Sequence, residues 1–273
     1  MSTTSMRPCG DFRTSYQQDN TIFETKFIWL IAVASVGLLC LAPLFLDEYF
    51  LSLAIQVSYL GIAALGLNIL VGFTGQISLG HGAFFGFGAF ASAWINTQFG
   101  IPVFFAIPLA GFLTMAVGMM FGLPAARIKG LYLAIATLAA QFIIEDFFAR
   151  AEWFSGGSAG AMAESVDIFG FIFDTDQSFY YIAMFALVTM YLWGSNLMRT
   201  RDGRAFVAVR DHYLSAEIMG INLTKYRLLS FGVSAFYAGI GGALYGHYLG
   251  YVSAESFTIM MSIQFLAMCI IGE

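Results

Sequence analysis

Apolar residues run through the chain in long blocks separated by short polar connections. The blocks cover Phe27–Leu46, Leu51–Gly72, Gly80–Phe99, Ile101–Leu123, Leu131–Phe148, Ser178–Leu197 and Leu228–Tyr248, and a last one runs from Phe257 to the end. Each complete block has about the 20 residues that an α-helix needs to cross a hydrocarbon core. The pattern predicts an all-α, polytopic transmembrane helix bundle over residues 27–273, with about eight membrane spans, the last incomplete. Residues 1–26 are polar, mixed in charge and without a helical apolar face, which predicts a separate cytoplasmic tail. The first apolar block is too long for the core of a cleaved signal and lacks a clear small-residue cleavage site.

Composition agrees: 59% of residues are hydrophobic and 11% charged, against roughly 25% charged in a soluble domain. Charge placement adds the orientation, because positive residues in short connections stay on the cytoplasmic side. With the tail inside, the inner connections are 73–79, 124–130 and 198–227. They carry Arg127, Lys129, Arg199, Arg201, Arg204, Arg210, Lys225 and Arg227. The outer connections carry Asp47, Glu48, Glu152, Glu164, Asp167, Asp174, Asp176 and Glu255, with Arg150 as their one base. Removing any span before Met198 would put a basic connection on the wrong side, so span count and orientation support each other.

The stretch Gly66–Ala93 is interrupted by Thr74, Gly75, Gln76, Ser78 and His81 before its apolar pattern resumes. At membrane depth, unwound backbone and uncharged polar groups are tolerated where they face protein or a water-filled path. Thr74, Gln76, Ser78 and His81 are therefore candidates for a solute path, offering donors and acceptors without fixed charge. The competing reading is that they cap helix ends and satisfy one another. Glu145 and Asp146, at the outer end of their span, read either as a proton relay or as a solvated helix end. Gly82 with Gly86, Gly118 with Gly122, and Gly242 with Gly246 and Gly250 stand at four-residue spacing, which predicts close helix packing rather than substrate contact.

Two connections stand out. The outer one, 149–177, holds Ser155, Gly156, Gly157, Ser158 and Gly160 but no neighbouring Lys and no preceding strand, which argues against a phosphate-binding loop, and a flexible surface for an external partner is expected. The inner one, 198–227, places Phe206, Val209, Tyr213 and Ala216 at three- and four-residue spacing among Arg204, Arg210, Asp211 and Glu217, with Gly220 as a helix end. That pattern predicts one short amphipathic helix, lying on the membrane surface or docking into a partner's groove. No P-loop, HExxH or nucleophile-elbow motif occurs, and Cys9, Cys40 and Cys269 have no metal or redox spacing. Neither an enzyme, a metal nor a cofactor is expected.

The stretches LGLNILVGFTGQISLGHGAFFGFGAF, GLYLAIATLAAQ, GRAFVAVRDHYLSAEIMGINLTKYRLLSF and SAFYAGIGGALYGHYLGYVSAESF resemble the permeases of bacterial branched-chain amino acid ABC importers, of the LivM type. The resemblance implies a multi-pass protein of the bacterial inner membrane, in contact with membrane lipid. It implies as partners a second permease subunit (LivH-like), two cytosolic ATPase subunits that hydrolyse ATP, and a periplasmic substrate-binding protein; nucleic acid is not implied. It makes Ser215–Gly220 the counterpart of the coupling loop of such permeases, without its full Glu-Ala-Ala, and assigns ATPase coupling to Arg204, Arg210, Ala216, Glu217 and Gly220. Relatives continue beyond the point where this chain stops, so a fragment, a frameshifted reading frame or a shortened gene product is expected. Urea and short-chain amide permeases share nearly the same glycine-rich signature, and an ion-coupled carrier is a further alternative, disfavoured by the absence of a charge in the middle of any span.

Overall fold

The computed structural model describes residues 26–272 apart from 126, 127, 129, 165, 169, 170 and 174. The polar tail, Arg127, Lys129 and Asp174 lie outside the described residues. In chain order the helices are α1 (Lys26–Leu41), α2 (Glu48–Asn68), α3 (His81–Phe99), α4 (Val103–Ala125), α5 (Leu131–Arg150), α6 (Glu152–Ser155), α7 (Asp176–Arg199), α8 (Arg201–Asp211), α9 (Tyr213–Ile218), α10 (Leu223–Leu249) and α11 (Ile259–Ile271). Without the short α6, α8 and α9, eight apolar helices remain among the described residues, in the order expected. Six segments are both long and apolar enough to cross a membrane: α2, α4, α5, α7, α10 and α11 with the turn before it. The 19-residue α3 falls outside that group because glycines, Ser92, Asn96, Thr97 and Gln98 dilute its apolar content. The helix α1 stops at Leu41 and tightens into a 3-10 turn at Ala42–Leu44, where Pro43 removes a backbone donor.

The bundle is built around α10, of which 83% is buried over a membrane length, against 17–44% for the other five. Its sequence explains this: Gly232, Gly239, Gly241, Gly242 and Gly246 let α2, α3 and α4 approach to backbone distance. A Cβ on Gly242 would overlap the Phe85 carbonyl, and one on Gly88 would overlap Gly239. Gly118 meets the Ala235 methyl, and Gly82 and Gly86 meet Ser262 and the Phe257 ring. The predicted stripes are thus packing surfaces, with one exception. Gly250 ends α10 in the left-handed conformation at φ 70°, with only the Ala163 carbonyl within 4 Å of a Cβ.

The two ends of the bundle differ. At one end Thr74–Gln76, Ile128, Gly130, Val209, Arg210, Tyr213 and Arg227 surround one cavity of about 170 Å³. The three connections that eight-span parity assigns to one side therefore do meet. At the opposite end the connection 149–177 folds into α6, a 3-10 turn and short strands, more structure than its sequence suggested. Strand β1 (Ala161–Met162) pairs antiparallel with β4 (Tyr251–Val252), and β2 (Val166–Ile168) pairs with β3 (Phe171–Phe173). The glycine run serves turns: Gly156, Gly157 and Gly160 all have positive φ. His247 fastens this end to the bundle, its Nδ1 donating to the Glu164 carbonyl (2.7 Å) while Nε2 accepts from the Ser92 hydroxyl (2.8 Å).

Candidate functional site

The break between α2 and α3 is wired almost wholly to the protein itself. The last turn of α2 widens into a π-turn at Ile69–Phe73, and Gly75 adopts φ 68°, which lets the Gln76 amide reach back to the Leu70 carbonyl. Thr74 donates to the same carbonyl. The Gln76 side-chain amide donates to the Ser230 hydroxyl (2.8 Å) and the Thr74 hydroxyl (3.1 Å), tying the break to α10. The Ser78 hydroxyl accepts from the Gly80 amide. His81 Nε2 donates to the Ala63 carbonyl of α2 (2.8 Å), and Nδ1 faces the Ser234 hydroxyl of α10 (3.5 Å). The structure brings all four candidate path residues together and buries all four.

Residues that sequence reasoning did not select complete this arrangement. The start of α3 leaves backbone N–H groups without helical partners, and in lipid no water can satisfy them. Gln141 of α5, fully buried, does so: its Oε1 accepts from the Ala83 amide (2.8 Å) and from the Ser262 hydroxyl (3.0 Å), and its Nε2 donates to the Phe257 carbonyl (2.8 Å). The Ser262 hydroxyl accepts from the Gly82 amide (2.8 Å) and Thr137, one turn before Gln141, accepts from the Leu79 amide (2.9 Å). The available signal was Thr137 and Gln141 at i, i+4 spacing in an otherwise apolar span. One turn further, Glu145 is half-buried and its Oε2 has no partner among the described residues, while Asp146 pairs with Arg150 in the open (2.8 Å).

The connection 198–227 forms an elbow of two helices where the sequence predicted one. His212 has extended backbone torsions (φ −152°, ψ 84°), which separates α8 from α9. Thr200 caps α8 by accepting from the Gly203 amide. Phe206, Val209 and Ala216, three of the four expected apolar positions, are buried against the chain's own bundle, with Phe206 edge-on to Tyr226; Tyr213 stays at the surface. The outward apolar face is a different set: Leu214, Ile218 (85% exposed) and Met219 (82% exposed). Gly220, at φ 85°, closes α9 while the Ile221 amide returns to the Ala216 carbonyl, and Glu217 is exposed.

Arg210 joins the elbow to the break. Its Nη1 donates to the Gly72 carbonyl in the π-turn (2.6 Å), its Nε to Asp211 (3.0 Å), and its Cγ would lie 3.0 Å from a Cβ on Gly75. Arg204 instead donates to the Arg199 carbonyl at the end of α7 (3.1 Å). Arg210 thus links α8 to the Gly72 carbonyl of the π-turn that follows α2.

Residues 49–273 match the family described as branched-chain amino acid transport system / permease component. The chain belongs to this permease family. It is similar to the high-affinity branched-chain amino acid transport system permease protein LivM of Salmonella typhimurium, 30% identical over 93% of this chain and 64% of that one. To LivM of Escherichia coli K12 it is 32% identical over 77% of this chain and 55% of that one. A guanosine ABC transporter permease, NupQ of Bacillus subtilis, is 26% identical over 63% of this chain and 59% of that one. The chain thus spans between half and two thirds of the length of the LivM relatives from Salmonella and Escherichia coli. No solved structure matches. Family membership and the apolar helices together make this a multi-pass membrane permease.

Proposed function

We propose that the chain is a membrane-spanning subunit of an ATP-binding cassette importer that moves branched-chain amino acids (leucine, isoleucine, valine) across a bacterial inner membrane, with its N-terminus in the cytoplasm. The observation that carries this reading is the family match over residues 49–273, with LivM proteins among the relatives. Its partners in this reading are a second permease subunit, two ATPases that hydrolyse the ATP, and a periplasmic protein that delivers the solute; the chain itself performs no chemistry. The end carrying α8 and α9 faces the ATPases. The expected experiment is co-purification with the sister permease and ATPases, followed by ATP hydrolysis with and without leucine-loaded binding protein. A stable complex stimulated by the loaded protein supports the reading, and an inserted chain that recruits no ATPase counts against it.

The elbow suits a docking role because its inner face is already anchored and its outer face is apolar. Leu214, Ile218 and Met219 would fill a groove on the ATPase, with Glu217 and Gly220 at its edge. Met219→Asp and Ile218→Asp would each bury an unpaired carboxylate there and should weaken ATPase association by about 30-fold or more, the scale of an interface hot spot. Pull-down at graded ATPase concentration reads this; undiminished association would remove α9 from the interface.

Arg210 is the transmission element. ATP and solute can act only through different affinities for the inward- and outward-open states, so the ATPase-driven movement must reach the break. Thr74, Gln76, Ser78 and His81 join the path when the break opens and their protein-bound donors and acceptors are released to solute. Arg210→Ala removes the charge-assisted bond to the Gly72 carbonyl, worth about 1.5–3 kcal/mol, together with the exposed pairing to Asp211, and should lower uptake about 10- to 100-fold while stimulated ATP hydrolysis continues. Equal loss of hydrolysis and uptake would instead make Arg210 a docking residue.

A further inference from the structure

One intramembrane amide stands apart from the wiring described above. Asn68 lies in the last turn of α2 before the π-turn, inside an apolar span, and no described residue hydrogen-bonds its side chain. Ser195 of α7 is likewise without a partner among the described residues. Both line the same cavity of about 340 Å³, which opens between α2, α7 and α10. Its other walls are mostly apolar, with Leu65, Ile69 and Met190 among them; Tyr191 and Tyr237 also line it, the Tyr237 hydroxyl donating to the Met190 carbonyl (2.8 Å), and Arg199 stands at the end near α8. A second cavity of about 310 Å³ between α2, α7 and α11 shares Leu65 and Asn68 with it.

Resting on the importer reading, we infer that this cavity, rather than the closed break, is where the permease holds its solute: a small zwitterion with a branched apolar side chain, recognised by Asn68 and Ser195. The volume lies in the range of small-ligand sites, about 300–1,000 Å³. Apolar walls with few polar groups are the chemistry of such sites, and an amide and a hydroxyl can each donate to a carboxylate or accept from an ammonium. A polar side chain left without a partner at membrane depth costs free energy unless it has a functional counterpart. By contrast, the amide hydrogens of Gln76 and both nitrogens of His81 are already engaged by protein groups.

The test uses the complete complex with its partner subunits in proteoliposomes, measuring ATP-driven uptake of labelled leucine together with ATP hydrolysis stimulated by the loaded binding protein. Asn68→Leu keeps the side-chain size and removes no protein hydrogen bond, so assembly and stimulated hydrolysis should persist while the KM for uptake rises at least tenfold. Ser195→Ala should give a smaller rise of the same sign and carries the test should Asn68→Leu fail to assemble. Unchanged uptake KM in whichever of these variants assembles overturns the assignment and leaves the importer reading standing. A wild-type complex that takes up no branched-chain amino acid overturns that reading, and the assignment of this solute with it.

Discussion

Gly242→Leu yields no folded bundle. A Cβ on Gly242 would overlap the Phe85 carbonyl, so even a methyl group has no room, and the atom it meets is backbone that no rotamer change can move aside. The side chain can be accommodated only by separating α10 from α3, which strips contact from Gly88, Gly239 and the rings around Phe85. Overpacking of a core ordinarily costs about 1–3 kcal/mol where side chains can yield. Here the cost exceeds that range and consumes a large part of a typical stability of about 5–15 kcal/mol. Gly37→Leu is the matched control, since a Cβ at Gly37 meets nothing within 4 Å. Gel filtration and thermal unfolding in detergent distinguish the two: Gly37→Leu behaves as the parent, and Gly242→Leu aggregates or is degraded. Parent-like melting of Gly242→Leu would show that α3 and α10 do not touch as described.

Gln141→Leu is expected to have the next largest effect. It fits by size, but leaves the Ala83 amide without an acceptor and the Phe257 carbonyl without a donor, at about 1–3 kcal/mol for each buried group. In lipid there is no water to replace them. The Ser262 hydroxyl loses an acceptor as well, so α11 is no longer pinned to α3 and α5 through this amide. The melting transition should fall, and protease cutting between α10 and α11 should rise. Ser262→Ala, which removes only one of these partners, should fall about halfway between parent and Gln141→Leu. A Gln141→Leu protein as stable and as resistant as the parent would show that the start of α3 is capped by something else.

The spans were legible because burial in lipid demands continuous apolar helices, which leave long apolar blocks that a water-soluble fold does not carry in such number. The glycine stripes were legible for the same reason: only close helix contact explains Gly118 and Gly122 on one face. Gly250 misled because its four-residue spacing looks like a stripe while its conformation is a helix end. The elbow misled in a different way. A single period ran through Phe206, Val209, Tyr213 and Ala216, and the break at His212 has no Gly or Pro to announce it. Periodicity also identifies an apolar face without saying what covers it, so the face buried on the chain itself is read from sequence as meeting the membrane surface or a partner, and Ile218 and Met219, though inside the coupling-loop segment, are not singled out. Gln141 and Asn68 were hidden because a lone amide in an apolar helix looks the same whether it is saturated or free; only the partners distinguish them.

The placement of α10 has a consequence for biogenesis. It is the most enclosed of the six long apolar spans, yet among the described residues nine helices precede it in order of synthesis. Until Leu223–Leu249 leaves the ribosome, α3 stands in the membrane with its glycine groove vacant and with His81 held by Ala63 alone. The least apolar of the long helices must therefore enter as a hairpin with α2 and wait for its main partner. Synthesis of residues 100–222 sets how long that half-built centre faces lipid, so the insertion machinery, as much as the final packing, must tolerate the sequence of α3.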